Sequence, residues 1–263
     1  LVIAYLWATA RWEMVSIHVR YLFPFLYLIG CVFSYRRIGK SEATSKRIGV
    51  VMSIGINSIL IIFFSGLNWF TYSGLGTPED TIDLASPFHE GKQIVIHGGR
   101  SPFINAHYHV TPQNDAIDIV GLNILGTRSS SFGRGANLDD YVIYGQSVYS
   151  PVNGRISVVV DNYDDQIPPN TDIEHLAGNH ILIEANGNEV LLAHFKKGSI
   201  VVKEGDYVTT ESILGEVGNT GNSSEPHLHI HLETGGTSRT ILNGKAVPFT
   251  INNRFLVRGD VIK

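Results

Sequence analysis

The apolar positions of this chain fall into two regimes. Over residues 48–67 they run nearly unbroken (IGVVMSIGINSILIIFFSGL) and carry no charge, close to the roughly 20 residues an α-helix needs to cross a bilayer. Residues 21–34 form a shorter, aromatic-rich apolar stretch. It spans a membrane only if Arg20 and Tyr35 extend to the two interfaces, and a buried helix of a soluble domain is its alternative. Residues 1–10 read as the tail of a further membrane helix. Between the two stretches, Arg36, Arg37, Lys40, Lys46 and Arg47 face a single Glu42. The positive-inside rule makes this loop cytoplasmic and puts everything after Leu67 across the membrane, with Trp69, Phe70 and Tyr72 as interfacial anchors. A cleaved signal peptide fits poorly, because the second stretch lies deep in the chain and lacks a small-residue cleavage site.

From residue 86 onward the pattern changes to short runs of Val, Ile and Tyr bounded by Gly, Asn, Asp or Pro. Strands are expected over 93–97, 147–149, 155–160, 180–184, 189–194, 199–202 and 213–217, with Asn186-Gly187-Asn188 as a hairpin turn. No helical period persists for twelve residues. The expected fold is all-β, a small antiparallel sandwich or hybrid barrel preceded by transmembrane α-helices. The polar stretch 71–85 reads as a linker with at most a short strand, which divides the chain into a membrane region (1–70), the linker (71–85) and the β domain (86–263). Residues 129–140 and 161–178 are long polar loops of the kind that rim binding grooves. The net charge of -4 gives no basic footprint and argues against nucleic acid as a partner. The sole cysteine, Cys31, lies in an apolar stretch, so there is no disulfide framework.

Candidate chemistry concentrates in Pro226-His227-Leu228-His229-Ile230-His231-Leu232-Glu233. In a strand, alternation puts the imidazoles on one face and Leu228, Ile230 and Leu232 on the other. Asn105-Ala-His107-Tyr-His109 places two further histidines on one expected strand face, Asp118 lies in a short apolar run, and His194 ends another. A zinc hydrolase needs three protein ligands, an open position and groups that move protons, and these residues suffice. His-Glu-x-x-His is absent, which excludes the helical metalloprotease plan.

The stretch from about Ser86 to the C-terminus resembles the lysostaphin-like zinc metallopeptidases, peptidase family M23. The resemblance is carried by Gly205-Asp206-x-Val208, Gly215-Glu-Val217-Gly218-Asn219-Thr220-Gly221-Asn222-Ser223 and Pro226-His227-Leu228-His229. Upstream it includes Gly145-Gln-Ser-Val148-Tyr149-Ser-Pro151-Val-Asn-Gly154, Gly178-Asn179-His180-Ile-Leu-Ile183 and Leu192-Ala193-His194-Phe195. It implies an exported peptidase that uses zinc (Zn2+) and cuts peptide bonds, most often in bacterial peptidoglycan. Carried over, His229 is a zinc ligand, and His227 and His194 are catalytic. The family's commonest first pair, His-x-x-x-Asp, is missing, because Asn114 stands four residues before Asp118. A longer-looped variant, Asn-x-His, then Gln, then Ala-Leu-Asp, fits Asn105, His107, Gln113 and Ala116-Ile117-Asp118. It implies His107 and Asp118 as ligands, with His109 the alternative to His107.

His231, His180, His89, His97 and His175 are expected to be surface histidines. Glu225 and Glu233 are candidates to orient an imidazole. Two other classes remain: a non-catalytic module of the same fold that binds cell wall or regulates another hydrolase, and a carrier domain, which would need a modifiable lysine at a hairpin tip. The expected setting is a membrane-anchored protein with its peptidase domain on the extracytoplasmic side.

Overall fold

The apolar runs form helices: α1 (Val2–Thr9), α2 (Ile17–Ile38) and α3 (Arg47–Ser73). The computed structural model describes residues 1–38, 47–130, 135–235 and 241–262. Lys40, Glu42 and Lys46 of the expected cytoplasmic loop, and residues 131–134 of the expected groove rim, lie outside them. Among the described residues two helices are long and apolar enough to cross a membrane, Ile17–Arg37 and Val51–Ser73. Their large side chains point outward, with Phe33 70% and Ile62 73% exposed, so α2 is not the buried core helix that was its alternative. α1 packs on α3 through an edge-on contact of Tyr5 with Phe64, and Asn68 and Tyr72 donate to the carbonyls of Leu1 and Ala4. Arg20 departs from expectation. Instead of reaching an interface, it lies 4.0 Å over the Trp7 ring and donates to the Gly259 carbonyl at 2.7 Å.

The remainder is β. Its strands are β1 (Ile82–Leu84), β2 (Gln93–His97), β3 (Ile117–Gly121), β4 (Ser147–Tyr149), β5 (Gly154–Val160), β6 (His180–Ala185) and β7 (Asn188–Ala193). They continue as β8 (Tyr207–Val208), β9 (Ile213–Glu216), β10 (Leu228–Thr234), β11 (Lys245–Ala246), β12 (Phe249–Ile251) and β13 (Val261–Ile262). The large sheet has the order β13-β2-β3-β10-β7-β6-β5-β8, with β11 paired to β10, and its pairings are antiparallel. Two small sheets, β4-β9 and β1-β12, complete the fold. Their side chains Val148, Leu214, Leu84, Phe249 and Ile251 share one core with Ile117, Ile119, Ile181, Ile183, Leu192, Leu228, Ile230 and Leu232 of the large sheet. Each fully buried aliphatic side chain there contributes about 1.5–3 kcal/mol. Asn186 and Gly187, both at positive φ, make the two-residue turn of the β6-β7 hairpin.

Two expected strands do not form. Residues 199–202 run irregularly beside β9, tied by the Val201 N–H to the Leu214 carbonyl. Residues 105–109 fold into turns, with Tyr108 N–H on the Asn105 carbonyl and Val110 N–H on that of His107. His107 and His109 therefore do not share a strand face.

Candidate active site

Alternation along β10 sends Leu228, Ile230 and Leu232 into the core and His229 and His231 to the opposite face. Register then assembles the site. His229 stands opposite Asp118 of β3 on one side and Ala193, the residue before His194, on the other. His97 of β2 also pairs with Asp118. Distant segments thus meet in one row because the strands are in register, not because the residues are near in sequence.

His107 arrives from a turn. The buried Asn105 side chain donates to the carbonyls of Gly99, Asn114 and Ala116 and accepts the His107 N–H at 3.0 Å, which locks that turn over the sheet. His107 Nε2 lies 2.9 Å from Asp118 Oδ2, and His229 Nδ1 lies 2.8 Å from Asp118 Oδ1. One ligand-type atom from each of His107, Asp118 and His229 falls within 4.8 Å of the others, a set that could hold a metal ion. Burial opposes ionisation of Asp118, but the facing His107 and His227 imidazoles outweigh it and hold its carboxyl well below the usual range. The carboxylate is charged, as a metal ligand must be.

His194 and His227 lie beside this trio, their ring centroids 4.6 Å apart. His227 Nε2 is 3.7 Å from Asp118 Oδ1. Each ring uses Nδ1 on a carbonyl, His194 on Thr220 and His227 on Glu225, both at 2.8 Å. A carbonyl only accepts, so Nδ1 carries the hydrogen and, in the neutral ring, Nε2 keeps the lone pair. The backbone is bent to achieve this. His194 has φ +70°, a conformation that costs a non-glycine residue on the order of 1–3 kcal/mol and concentrates at functional sites. The Thr220 carbonyl is brought in by a close approach at Gly221, φ +76°, where a Cβ would strike the backbone of Gly178.

The sequence profile of Peptidase family M23 matches residues 136–241, which include His194, His227 and His229. The matched stretch, residues 136–241, is a Peptidase family M23 segment. Solved structures similar to it include a zinc-containing peptidase from Vibrio cholerae, at 21% identity over 56% of this chain and 35% of that one, TM-score 0.33. LytU is 28% identical over 36% and 57% of the two chains, TM-score 0.28. The catalytic domain of lysostaphin from Staphylococcus simulans is 21% identical over 59% and 79%, TM-score 0.31. This chain thus spans about a third of the Vibrio protein and somewhat over half of LytU. No curated protein matches the sequence. His107 and Asp118 lie upstream of the M23 match and rest on geometry alone.

Beside the His107, Asp118 and His229 trio a cavity of about 230 Å³ is lined by His107, His194 and His229 on the polar side and by Val110, Leu176 and Leu191 on the apolar side. A larger hollow of about 600 Å³ lies against Ile82, Pro151 and Asn186, holds no histidine, and is separate from this chemistry.

Several expectations are corrected. His109 is exposed and outside the trio. His231 is not a surface residue: it is 1% exposed, with Nδ1 3.0 Å from His229 Nε2. His180 is buried on the Gly178 carbonyl, and His97 accepts the Ala106 N–H with its ring 6.0 Å from His107. His89 and His175 are exposed, as expected. The Glu225 carboxylate binds Arg11 and Arg128 rather than an imidazole, and that of Glu233 accepts the N–H groups of Leu242 and Gly244. Only the alternation of His231 with His229 signalled its position beforehand; nothing marked it as buried.

Burial lowers the basicity of His97, to about 3, and of His180. His97 stays neutral in the folded protein and His180 takes up its proton at lower pH than a free imidazole, while their unfolded counterparts take up protons below about pH 6.5. The unfolded state then binds more protons, so stability is complete above that pH and falls as pH drops through it, by up to about 1.4 kcal/mol per pH unit per histidine. Thermal unfolding midpoints of the metal-free protein are expected to decline from pH 7 to 5. A flat profile would contradict the buried neutral rings.

Proposed function

We propose that this chain is a membrane-anchored zinc endopeptidase that hydrolyses peptide bonds in bacterial cell-wall peptidoglycan. The observation that carries this reading is the convergence of His107 Nε2, the Asp118 carboxylate and His229 Nδ1, with His194 and His227 alongside. The donor set fits zinc: two neutral-type imidazoles and one carboxylate held ionised form the three-ligand arrangement of catalytic zinc sites. Bound there, zinc would supply a Lewis acid that lowers the pKa of a water towards 7 and polarises the scissile carbonyl.

The protein's own groups do the rest. With Nδ1 tied to a carbonyl, His194 and His227 each offer Nε2 as the basic atom. One takes the proton of the attacking water, and a ring so protonated donates to the tetrahedral oxyanion or the leaving amine. The apolar wall of Val110, Leu176 and Leu191 limits water beside the reacting bond. His229 can offer Nδ1 to a metal only if Nε2 carries the hydrogen, and His231 Nδ1 stands where it accepts that hydrogen. His231→Ala is therefore expected to weaken zinc binding about 10–100-fold, read by competition with a chromophoric chelator. Unchanged affinity would remove His231 from the site.

The chain's path supports an extracytoplasmic domain. The start of α2 is bound to the β domain through Ile17 N–H on the Gly126 carbonyl, and the end of α3 through Arg100 N–H on that of Gly74. Both helices thus begin or end at the domain, and Arg36 and Arg37 at the distal end of α2 would fall on the far side of a bilayer. The test is digestion of purified peptidoglycan by the full chain in detergent, with mass analysis of the fragments. Release of new amino termini that a chelator stops and zinc restores is the expected result. Zinc-loaded protein that leaves the wall polymer intact, yet sediments with it, would identify a non-catalytic wall-binding module instead.

A further inference from the structure

Three buried charged side chains and a half-buried one lie behind the loop that leads into β10. Arg11 Nε and Nη2 contact Glu13 Oε1 and Glu225 Oε1, both at 2.6 Å, and Arg128 Nη2 contacts Glu225 Oε2 at 2.8 Å. Arg128 Nη1 lies 3.3 Å from Glu13 Oε1, and its backbone N–H is bonded to the Glu13 carbonyl. The Arg128, Glu13 and Glu225 side chains are 1%, 4% and 4% exposed, and that of Arg11 is 26% exposed. Arg11 and Glu225 are 214 residues apart in sequence. Arg11 and Glu13 precede α2, and of the four only Glu225 falls within the M23 match.

Burying charges is costly, and a buried pair is often no more stabilising than apolar residues of the same volume, so its worth lies in specifying an arrangement. The arrangement here ends on the reaction centre. The Glu225 carbonyl accepts the His227 Nδ1 hydrogen at 2.8 Å, and Ser223 Oγ, which donates to the same carbonyl at 2.8 Å, stands 3.0 Å from that nitrogen. Whatever fixes Glu225 fixes the tautomer and direction of His227.

We propose that Arg11, with Glu13 and Arg128, is a positioning residue: the segment before α2 clamps Glu225 and through it aims His227 at the metal trio. The proposal rests on the peptidase reading for its rate effect but not for its geometry. The clamp makes the membrane region part of the active site. A fragment starting near Ser86 would leave Glu225 facing Arg128 without Arg11 or Glu13.

The test uses the full chain in detergent, as wild type, Arg11→Met and Arg11→Lys, with each variant's unfolding midpoint and zinc content measured. Lysine keeps one charged contact to Glu225, and methionine keeps volume only. Arg11→Met is expected to lower kcat about 10–100-fold with KM and zinc content within twofold of wild type, and Arg11→Lys to recover most of the loss. Nitrogen-15 shifts of the His227 imidazole should move from a fixed Nδ1–H tautomer in wild type and Arg11→Lys to a mixture in Arg11→Met. Unchanged kcat and unchanged shifts in Arg11→Met would overturn the clamp, as would parallel losses in both variants that simply follow a fall in folding stability. If wild type is inactive but the shifts respond as stated, the clamp stands and the peptidase reading falls.

Discussion

Asp118→Asn is expected to abolish zinc retention and peptidase activity together. Asp118 is the only carboxylate in the trio, and its two oxygens face different imidazoles, Oδ2 to His107 and Oδ1 to His229. The amide keeps the volume but replaces one oxygen by a donor group and removes the charge, so one imidazole loses its acceptor and the remaining donors are neutral. A catalytic metal supplies several kcal/mol of transition-state stabilisation, which corresponds to a loss on the order of 10³-fold or more in kcat/KM. Metal analysis of the dialysed variant beside a peptide-release assay reads both quantities. One zinc per chain with kcat/KM within tenfold of wild type would show that the metal sits elsewhere.

The parts of this molecule that follow from short-range periodicity were legible in the sequence. Uninterrupted apolar runs became α2 and α3, and the alternation from Leu228 to Leu232 placed His229 and His231 on one face with the core residues on the other. The structure brings His107 to Asp118 and His229, although its local structure was misread. Residues 105–109 are turns rather than a strand, and the feature that presents His107 is the fan of hydrogen bonds from buried Asn105. An Asn-x-His string shows the residues but not three carbonyl partners, one of them eleven positions away.

Long-range register was not legible. Nothing in the neighbourhood of Glu225 announces Arg11, and a glutamate beside a proline and a histidine reads as well as an imidazole partner as it does an ion-pair partner. The same limit hid the burial of His180 and His231 and the half-burial of His97, which depend on which strands flank β2, β6 and β10. The N-terminal helical region, separated from the β domain by composition, is tied to it at Arg11, Ile17 and Arg20. Composition reports what surrounds a segment on average and is silent about a few specific polar contacts.

His227→Ala and His194→Ala are expected to separate proton handling from metal binding. Neither side chain belongs to the trio, so each variant should keep one zinc per chain while kcat falls about 10²–10⁴-fold, the range for a positioned general acid or base. The two losses should not add in the double variant, because one proton-transfer unit is already disabled by the first substitution. His194 carries a further diagnostic. Its positive φ is a strain that a glycine relieves, so His194→Gly should cost less folding stability than His194→Ala while losing as much activity. Activity that survives in both alanine variants with zinc in place would mean that the imidazoles beside the trio are structural and that another group moves the proton. Loss of zinc from both would mean that the boundary drawn here between ligands and catalytic rings is wrong. The expected pattern, metal kept and rate lost, requires two roles within one cluster of histidines, set by which rings give Nδ1 to a carbonyl and which turn a nitrogen to Asp118.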